Sequence, residues 1–265
     1  MKYFIPILLL IVLAAAAFGL GGAPQLPPIT VLQSRIAGEL NSIDADLAQA
    51  AGQIAPLGLT STATGKVLQK LYDKHSAIID IATIDLDGNL LLIVPDAYKQ
   101  AAGTNISQQA HFALIRKTGR PVMSQMFKTV EGFNAAALAY PVIASGETAA
   151  TGFVSIVFKP DTLMRNIIKD YLQDLPSAEA LAIQLDGKVV YDYDIFQVGK
   201  MTFSDPGYQA FPSLLLLASK MTQEASGSGT YDYVARSGNK ATKSAVWTTI
   251  SLHGTAWRLM LSEVI

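Results

Sequence analysis

The chain has 265 residues, is 50% hydrophobic and 15% charged, carries a formal net charge of −1, and has no cysteine. The near-zero charge leaves no basic field to hold a nucleic acid. The absence of cysteine excludes a disulfide framework, a thiolate metal site and a cysteine nucleophile.

The N-terminus predicts export. Lys2 precedes an uncharged run, Phe4–Leu20, and the next charged residue is Arg35. That asymmetry places the N-terminus inside and the rest outside, with residues 1–24 a signal peptide or a membrane anchor. The protein is therefore expected to be extracytoplasmic, either secreted or held at the membrane by this segment. Prolines at 24, 27 and 28 then prevent any helix from continuing.

Residues 25–75 read as linker and helical spine. A long helix is expected over Thr30–Ile54, with apolar residues at Ile36, Leu40, Ile43, Leu47, Ala50 and Ile54. The steps of four and three make a heptad seam. The seam either packs on the chain's own domain or makes a homodimer through Ile36, Leu40, Ile43 and Leu47. Ser61 or Thr62 caps a second helix ending near Lys74.

Residues 76–175 and 176–265 read as two copies of one module. Ala82-Thr-Ile-Asp-Leu-Asp-Gly-Asn-Leu-Leu-Leu92 returns as Leu181-Ala-Ile-Gln-Leu-Asp-Gly-Lys-Val-Val-Tyr191. Each is an apolar strand, a Leu-Asp-Gly turn and a second apolar strand. In the first copy a helix capped by Ser107 carries His111, Phe112 and Arg116. Strands are then expected over Val122–Thr129, Asn134–Ile143 and Thr151–Phe158, and a helix from Pro160. The second copy repeats the order of strand, strand, helix and three strands. Short turns between successive strands make the sheets antiparallel, so the fold class is α+β.

Catalytic patterns are missing: there is no nucleophile elbow, no paired metal-binding histidines on a helix and no phosphate-binding loop. Histidines 75, 111 and 253 share no ligand spacing, so no metal is expected. Asp85 and Asp87 flank a turn, as Asp commonly does. Tyr191-Asp-Tyr-Asp194 reads as a solvated strand end, the alternative being a cation site or a second pocket. Asn105-Ile-Ser107 has the form of a glycosylation site. Trp247 and Trp257 read as core or cross-strand partners.

The order of these elements resembles the double Cache domain, the extracytoplasmic sensor region of chemoreceptors and sensor kinases. The resemblance covers about Arg35 to Val264. Its carriers are the long helix, the Asp-Gly hairpin, Gly103-Thr-Asn-Ile-Ser-Gln-Gln-Ala-His-Phe112, Val122-Met-Ser-Gln-Met-Phe127, Ala139-Tyr-Pro-Val-Ile143 and Gly152-Phe-Val-Ser-Ile156. It implies two tandem PAS-like modules on one helical spine, without enzyme activity or cofactor. The membrane-distal first module would bind a small metabolite and the membrane-proximal second would be its plainer partner. Carried onto this chain, the pocket would comprise His111, Phe112 and Arg116 on the helix, Ser124 and Met126 on one strand, and Phe133, Ala135, Ala137 and Tyr140 on the next.

The chain departs from the amino-acid-binding members of that family, which carry a Trp-Tyr pair after the pocket arginine. Here Lys117-Thr-Gly119 follows Arg116. The only acids between Gly103 and Phe158 are Glu131 and Glu147, both in predicted turns. A carboxylate held by Arg116, or a largely apolar ligand among Phe112, Met126 and Phe133, is therefore expected rather than an ammonium. No second span or signalling helix follows the last strand, so the signal would pass to a separate partner. The competing expectation is an envelope protein that keeps the fold without a ligand and dimerises through the long helix.

Overall fold

The computed structural model describes residues 28–129, 132–234 and 239–265. Residues 1–24, expected from the sequence to be a signal peptide or membrane anchor, lie outside them. Among the described residues no helix is long and apolar enough to cross a membrane.

The spine is α1, Ile29–Ile54. Its 26 residues span about 39 Å. Leu32, Ile36, Leu40, Ile43, Leu47 and Ile54 are at most 1% exposed within the single chain. The seam is thus consumed by the chain's own core, and a homodimer through Ile36, Leu40, Ile43 and Leu47 would have to unfold it. α2, Thr62–Lys74, is capped by Ser61, whose hydroxyl accepts from the Thr64 N–H.

The first sheet comprises β1 (Ile78–Ile84), β2 (Leu90–Val94), β3 (Val122–Met123), β4 (Phe127–Lys128), β5 (Asn134–Ile143) and β6 (Ala150–Phe158). Its order is β2-β1-β6-β5-β3, with β4 also on β5. α3, Ala110–Thr118, covers one face, and a 3-10 turn, Asp96–Ala101, covers its edge. α3 starts at Ala110 with Gln109 at its N-cap and no side-chain cap, so Ser107 does not cap it; the Ser107 N–H donates to Asn105 Oδ1 in the strap before it. The single strand expected over Val122–Thr129 is broken at Ser124–Met126. The break has a cause in the second module, described below.

α4, Pro160–Leu172, leads into the second sheet. That sheet contains β7 (Ala178–Gln184), β8 (Val189–Asp192), β9 (Gly227–Val234), β10 (Lys240–Leu252) and β11 (Thr255–Val264). Between β8 and β9 lie the short α5, Pro206–Gln209, and α6, Pro212–Gln223. The order β8-β7-β11-β10-β9 repeats that of the first sheet. The fold is α+β, two modules of antiparallel sheet on one long helix, and one hydrophobic cluster runs from α1 through both sheets.

Trp247 and Trp257 are both core residues, but they are not partners. Trp247 stands opposite Met260 and Trp257 opposite Ile250. They project to opposite faces of the sheet and join separate clusters.

Candidate functional site

The face of the first sheet turned away from α1 is fixed by register. Directly opposite residues of antiparallel strands share a face. Asp80 stands opposite Val157, Ala82 opposite Ser155, and Ile84 opposite Phe153. On the other side of β6, Ala137 stands opposite Val157 and Ala139 opposite Ser155.

A cavity of about 470 Å³ opens on this face. Its floor is Asp80, Ala82, Ser155 and Val157, and its far walls bring Gln100, Thr104, Ile106, Gln109, His111, Phe127 and Lys128. The strap that closes it, Gly103–Ser107, is tied to the hairpin. Asn105 Nδ2 donates to Asp87 O and to Asn89 Oδ1. Gly88 lets the strap approach: its φ is +91, and a Cβ there would lie 2.9 Å from the Ser107 nitrogen.

A second cavity, about 650 Å³, lies between the modules. It is lined by the start of α3, by Val122–Lys128, and by His253–Thr255 from the β10–β11 turn. His111 and Phe127 line both cavities and stack on each other, with ring centroids 6.2 Å apart. Burial pushes the His111 pKa down to about 4, so the ring is neutral at physiological pH.

The predicted site residues are distributed unevenly. His111 faces the cavities. Ser124 and Met126 line only the inter-module cavity. Ser124 also completes the sheet, because its hydroxyl accepts from the Ala137 N–H at 2.8 Å. Phe112 is core beneath the hairpin, edge-on to Phe153 at 5.3 Å. Ala135 and Ala137 are buried in the sheet and line neither cavity. Phe133 is half-buried, with the Lys159 ammonium 3.8 Å from its ring centroid.

Two expectations need correction. Arg116 is exposed on α3 and lines neither cavity, so it cannot clamp a carboxylate in either. Tyr140 is on the opposite face of β5. Its hydroxyl donates to Asp44 Oδ1 of α1 at 2.8 Å and lies 3.3 Å from His253 Nε2. Side chains alternate along a strand, so Tyr140 cannot share a face with Ala135 and Ala137 in any register.

The sequence reading missed Asp80, Ser155, Phe127 and Lys128. The signal was present for two of them. Asp80 interrupts Ile78-Ile-Asp-Ile-Ala82, and Ser155 interrupts Phe153-Val-Ser-Ile-Val157. A polar residue inside an otherwise apolar central strand needs a partner or a cavity. The cavity's acid, Asp80, comes from β1, outside residues 103–158.

Residues 38–160 match the family described as HK/GC/Chemotaxis protein-like, sensor domain. An extracellular ligand binding receptor from Desulfohalobium retbaense is 30% identical, with a TM-score of 0.71, over 88% of this chain and 40% of that one. This chain therefore spans well under half of that receptor. The ligand-binding domain of the amino-acid chemoreceptor PctC of Pseudomonas aeruginosa, in complex with GABA, is 18% identical with a TM-score of 0.60. The match covers 88% of this chain and 95% of that one. The ligand-binding domain of the Pseudomonas fluorescens chemoreceptor CtaA, in complex with L-serine, is 17% identical with a TM-score of 0.62, over 89% and 93% of the two chains. The two lower-identity structures share the fold. No curated protein matches the sequence.

Proposed function

This chain carries the double Cache fold of extracytoplasmic sensor domains, and on that premise we propose that its first module senses a small zwitterionic metabolite of amino-acid size. The observation that supports this is the polar pair Asp80 and Ser155 on the floor of the cavity, with Lys128 also among its lining residues. A carboxylate and a hydroxyl on a partly desolvated floor suit an ammonium group. The Lys128 ammonium and the amides of Gln100 and Gln109 suit a carboxylate. The neutral His111 ring, stacked on Phe127, offers an apolar wall to whatever joins the two ends. That the related chemoreceptor domains hold GABA and L-serine agrees with this chemistry. The same reading makes residues 76–175 the ligand module and residues 176–265 its partner, on the outer side of a membrane. The ligand-free envelope protein loses its main support, because the helix that was to dimerise is filled by the chain's own core.

The test is a thermal-shift and calorimetric screen of amino acids, GABA, and their decarboxylated and deaminated analogues. A ligand at a hundred times its Kd adds about 2.7 kcal/mol of stability. Wild type and Arg116→Ala should respond alike, whereas Asp80→Asn should lose the compounds that carry both an ammonium and a carboxylate. An unresponsive wild type, or an undiminished response in Asp80→Asn, would sink the proposal.

A further inference from the structure

The sequence repeat carries a repeated cavity. In the alignment of the two hairpins, Asp80, Ala82, Ile84 and Leu90 correspond to Glu179, Leu181, Ile183 and Val189. The first set lines the first module's cavity and the second set lines a cavity in the second module. Register confirms the correspondence. Leu181 stands opposite Met260 and Glu179 opposite Ser262, as Ala82 stands opposite Ser155 and Asp80 opposite Val157. Met260 and Ser262 also line the second cavity.

The second cavity is smaller, about 110 Å³. A water takes up about 30 Å³ of liquid, so the space suits a few non-hydrogen atoms. Its chemistry differs from that of the first. Asp192 lies opposite Leu181 on the same face, and Tyr208 and Tyr231 form aromatic walls. Thr202 is 3% exposed, lines the cavity, and its Oγ1 has no hydrogen-bond partner. A buried hydroxyl without a partner, in a cavity that a carboxylate also lines, is what a site looks like without its ligand. Among the described residues, no group of three His, Asp or Glu side chains is placed to hold a metal ion.

We propose that the second module holds its own ligand site, taking a small primary or quaternary ammonium ion against Asp192, Thr202 and the faces of Tyr208 and Tyr231. Glu179 does not compete for the cation, because it is paired with Lys243 from β10. Asp192 retains one backbone partner, the Asp194 N–H at 2.8 Å. Aromatic faces attract ammonium ions through the ring quadrupole. Within Tyr191-Asp-Tyr-Asp194, Asp192 and Tyr193 thus line a cavity, while Tyr193 and Asp194 are also exposed as a solvated strand end.

The charged groups around Asp192 are Asp194, Glu179 and Lys243, with Tyr193, Tyr208 and Tyr231 beside them. Burial pushes the Asp192 carboxyl up to about 6, opposed by the Asp194 N–H and Lys243 and reinforced by Asp194 and Glu179. Ammonium binding should therefore be strong at pH 7.5 and weak at pH 5, where the carboxyl is protonated.

The experiment is calorimetric titration of the purified chain with methylammonium, n-propylammonium and tetramethylammonium, using n-propanol and propionate as neutral and anionic controls. At least one ammonium ion should bind at pH 7.5, with an affinity loss on the order of tenfold at pH 5. Asp80→Asn should leave that binding unchanged, which separates this site from the first module. Asp192→Asn should abolish it. Ala218→Leu, which fills the cavity from α6 and keeps Asp192, should abolish it as well, so a folding defect in one variant does not decide the outcome. The proposal is overturned if no ammonium ion binds, if n-propanol binds as well as n-propylammonium, if both cavity variants bind like wild type, or if Asp80→Asn removes the binding.

Discussion

His111 and Phe127 stack with their planes 15° apart, and both rings line the first module's cavity and the cavity between the modules. Burial holds the His111 pKa at about 4, below the ordinary 6.5, so the stacked ring is neutral. The unfolded chain binds a proton at this residue near pH 6.5 and the folded chain only near 4. Stability contributed by the neutral ring is therefore complete above pH 6.5 and is lost as pH falls from 6.5 towards 4. The loss should approach about 2–3 kcal/mol. Urea unfolding of wild type and His111→Gln at pH 7.5 and pH 4.5 measures it: wild type should lose more than the variant. Equal losses would mean that the ring is solvated in the folded protein.

Asp192 carries the opposite sign. Its folded pKa is raised from 3.8 to about 6, so the folded state binds the extra proton between those values. Stability should fall as pH rises through that window and stay low above it. Asp192→Asn removes the cost of the buried charge. It should stabilise the ligand-free protein by about 1–3 kcal/mol at pH 7.5 and leave it unchanged at pH 3.5. Such a gain would accompany the loss of ammonium binding, as expected where a site is built at the expense of stability.

Much of the fold was legible because its signals are periodic. The heptad steps from Ile36 to Ile54, the Asp-Gly turns at Gly88 and Gly187, and the prolines before α4 and α6 each state a local rule that the tertiary structure obeys. The candidate site was less legible for two reasons. Which face of β5 meets the cavity is not given by sequence alone, although alternation puts Tyr140 on the face opposite Ala135 and Ala137, where it reaches α1. The cavity also gathers residues that are far apart in sequence. Asp80 on β1, Ser155 on β6 and Lys128 on β4 meet only because β6 inserts between β1 and β5. The break in the strand at Ser124–Met126 was not legible either, because its cause lies in the second module.

The α1 seam makes one cooperative unit of both modules. Leu40 and Ile43 belong to the cluster that also holds Ile156 of β6 and Leu261 of β11. Leu40→Ala should cost about 2–5 kcal/mol, with unfolding still in a single transition. Far-ultraviolet circular dichroism follows the whole chain, and the fluorescence of Trp247 and Trp257 follows the second module. Coincident curves shifted to lower denaturant are expected. If the fluorescence curve stayed at its wild-type midpoint, the second module would not depend on the seam.

The modules are also joined by polar contacts that converge on Met126. Gln184, fully buried at the end of β7, accepts the Met126 N–H through its Oε1. The Lys188 ammonium donates to the Met126 carbonyl at 3.1 Å. Thr255 donates to the Met123 carbonyl at 2.6 Å. The Ser124 N–H stays on the Ala137 carbonyl of the first sheet, whereas both backbone groups of Met126 bond with the second module, and the strand breaks between the two. Phe127, the next residue, is a wall of both cavities. Gln184→Leu keeps the side-chain bulk but leaves the Met126 N–H buried without an acceptor, at a cost of about 1–3 kcal/mol. Hydrogen exchange should then speed up at the Met126 amide, while the amides of β1 and β6 should keep their protection at equal global stability. Ligand affinity in the first module should fall with it, because Phe127 is no longer held. Unchanged exchange at Met126 would show that the segment is positioned by the first sheet alone and that Gln184 merely fills space.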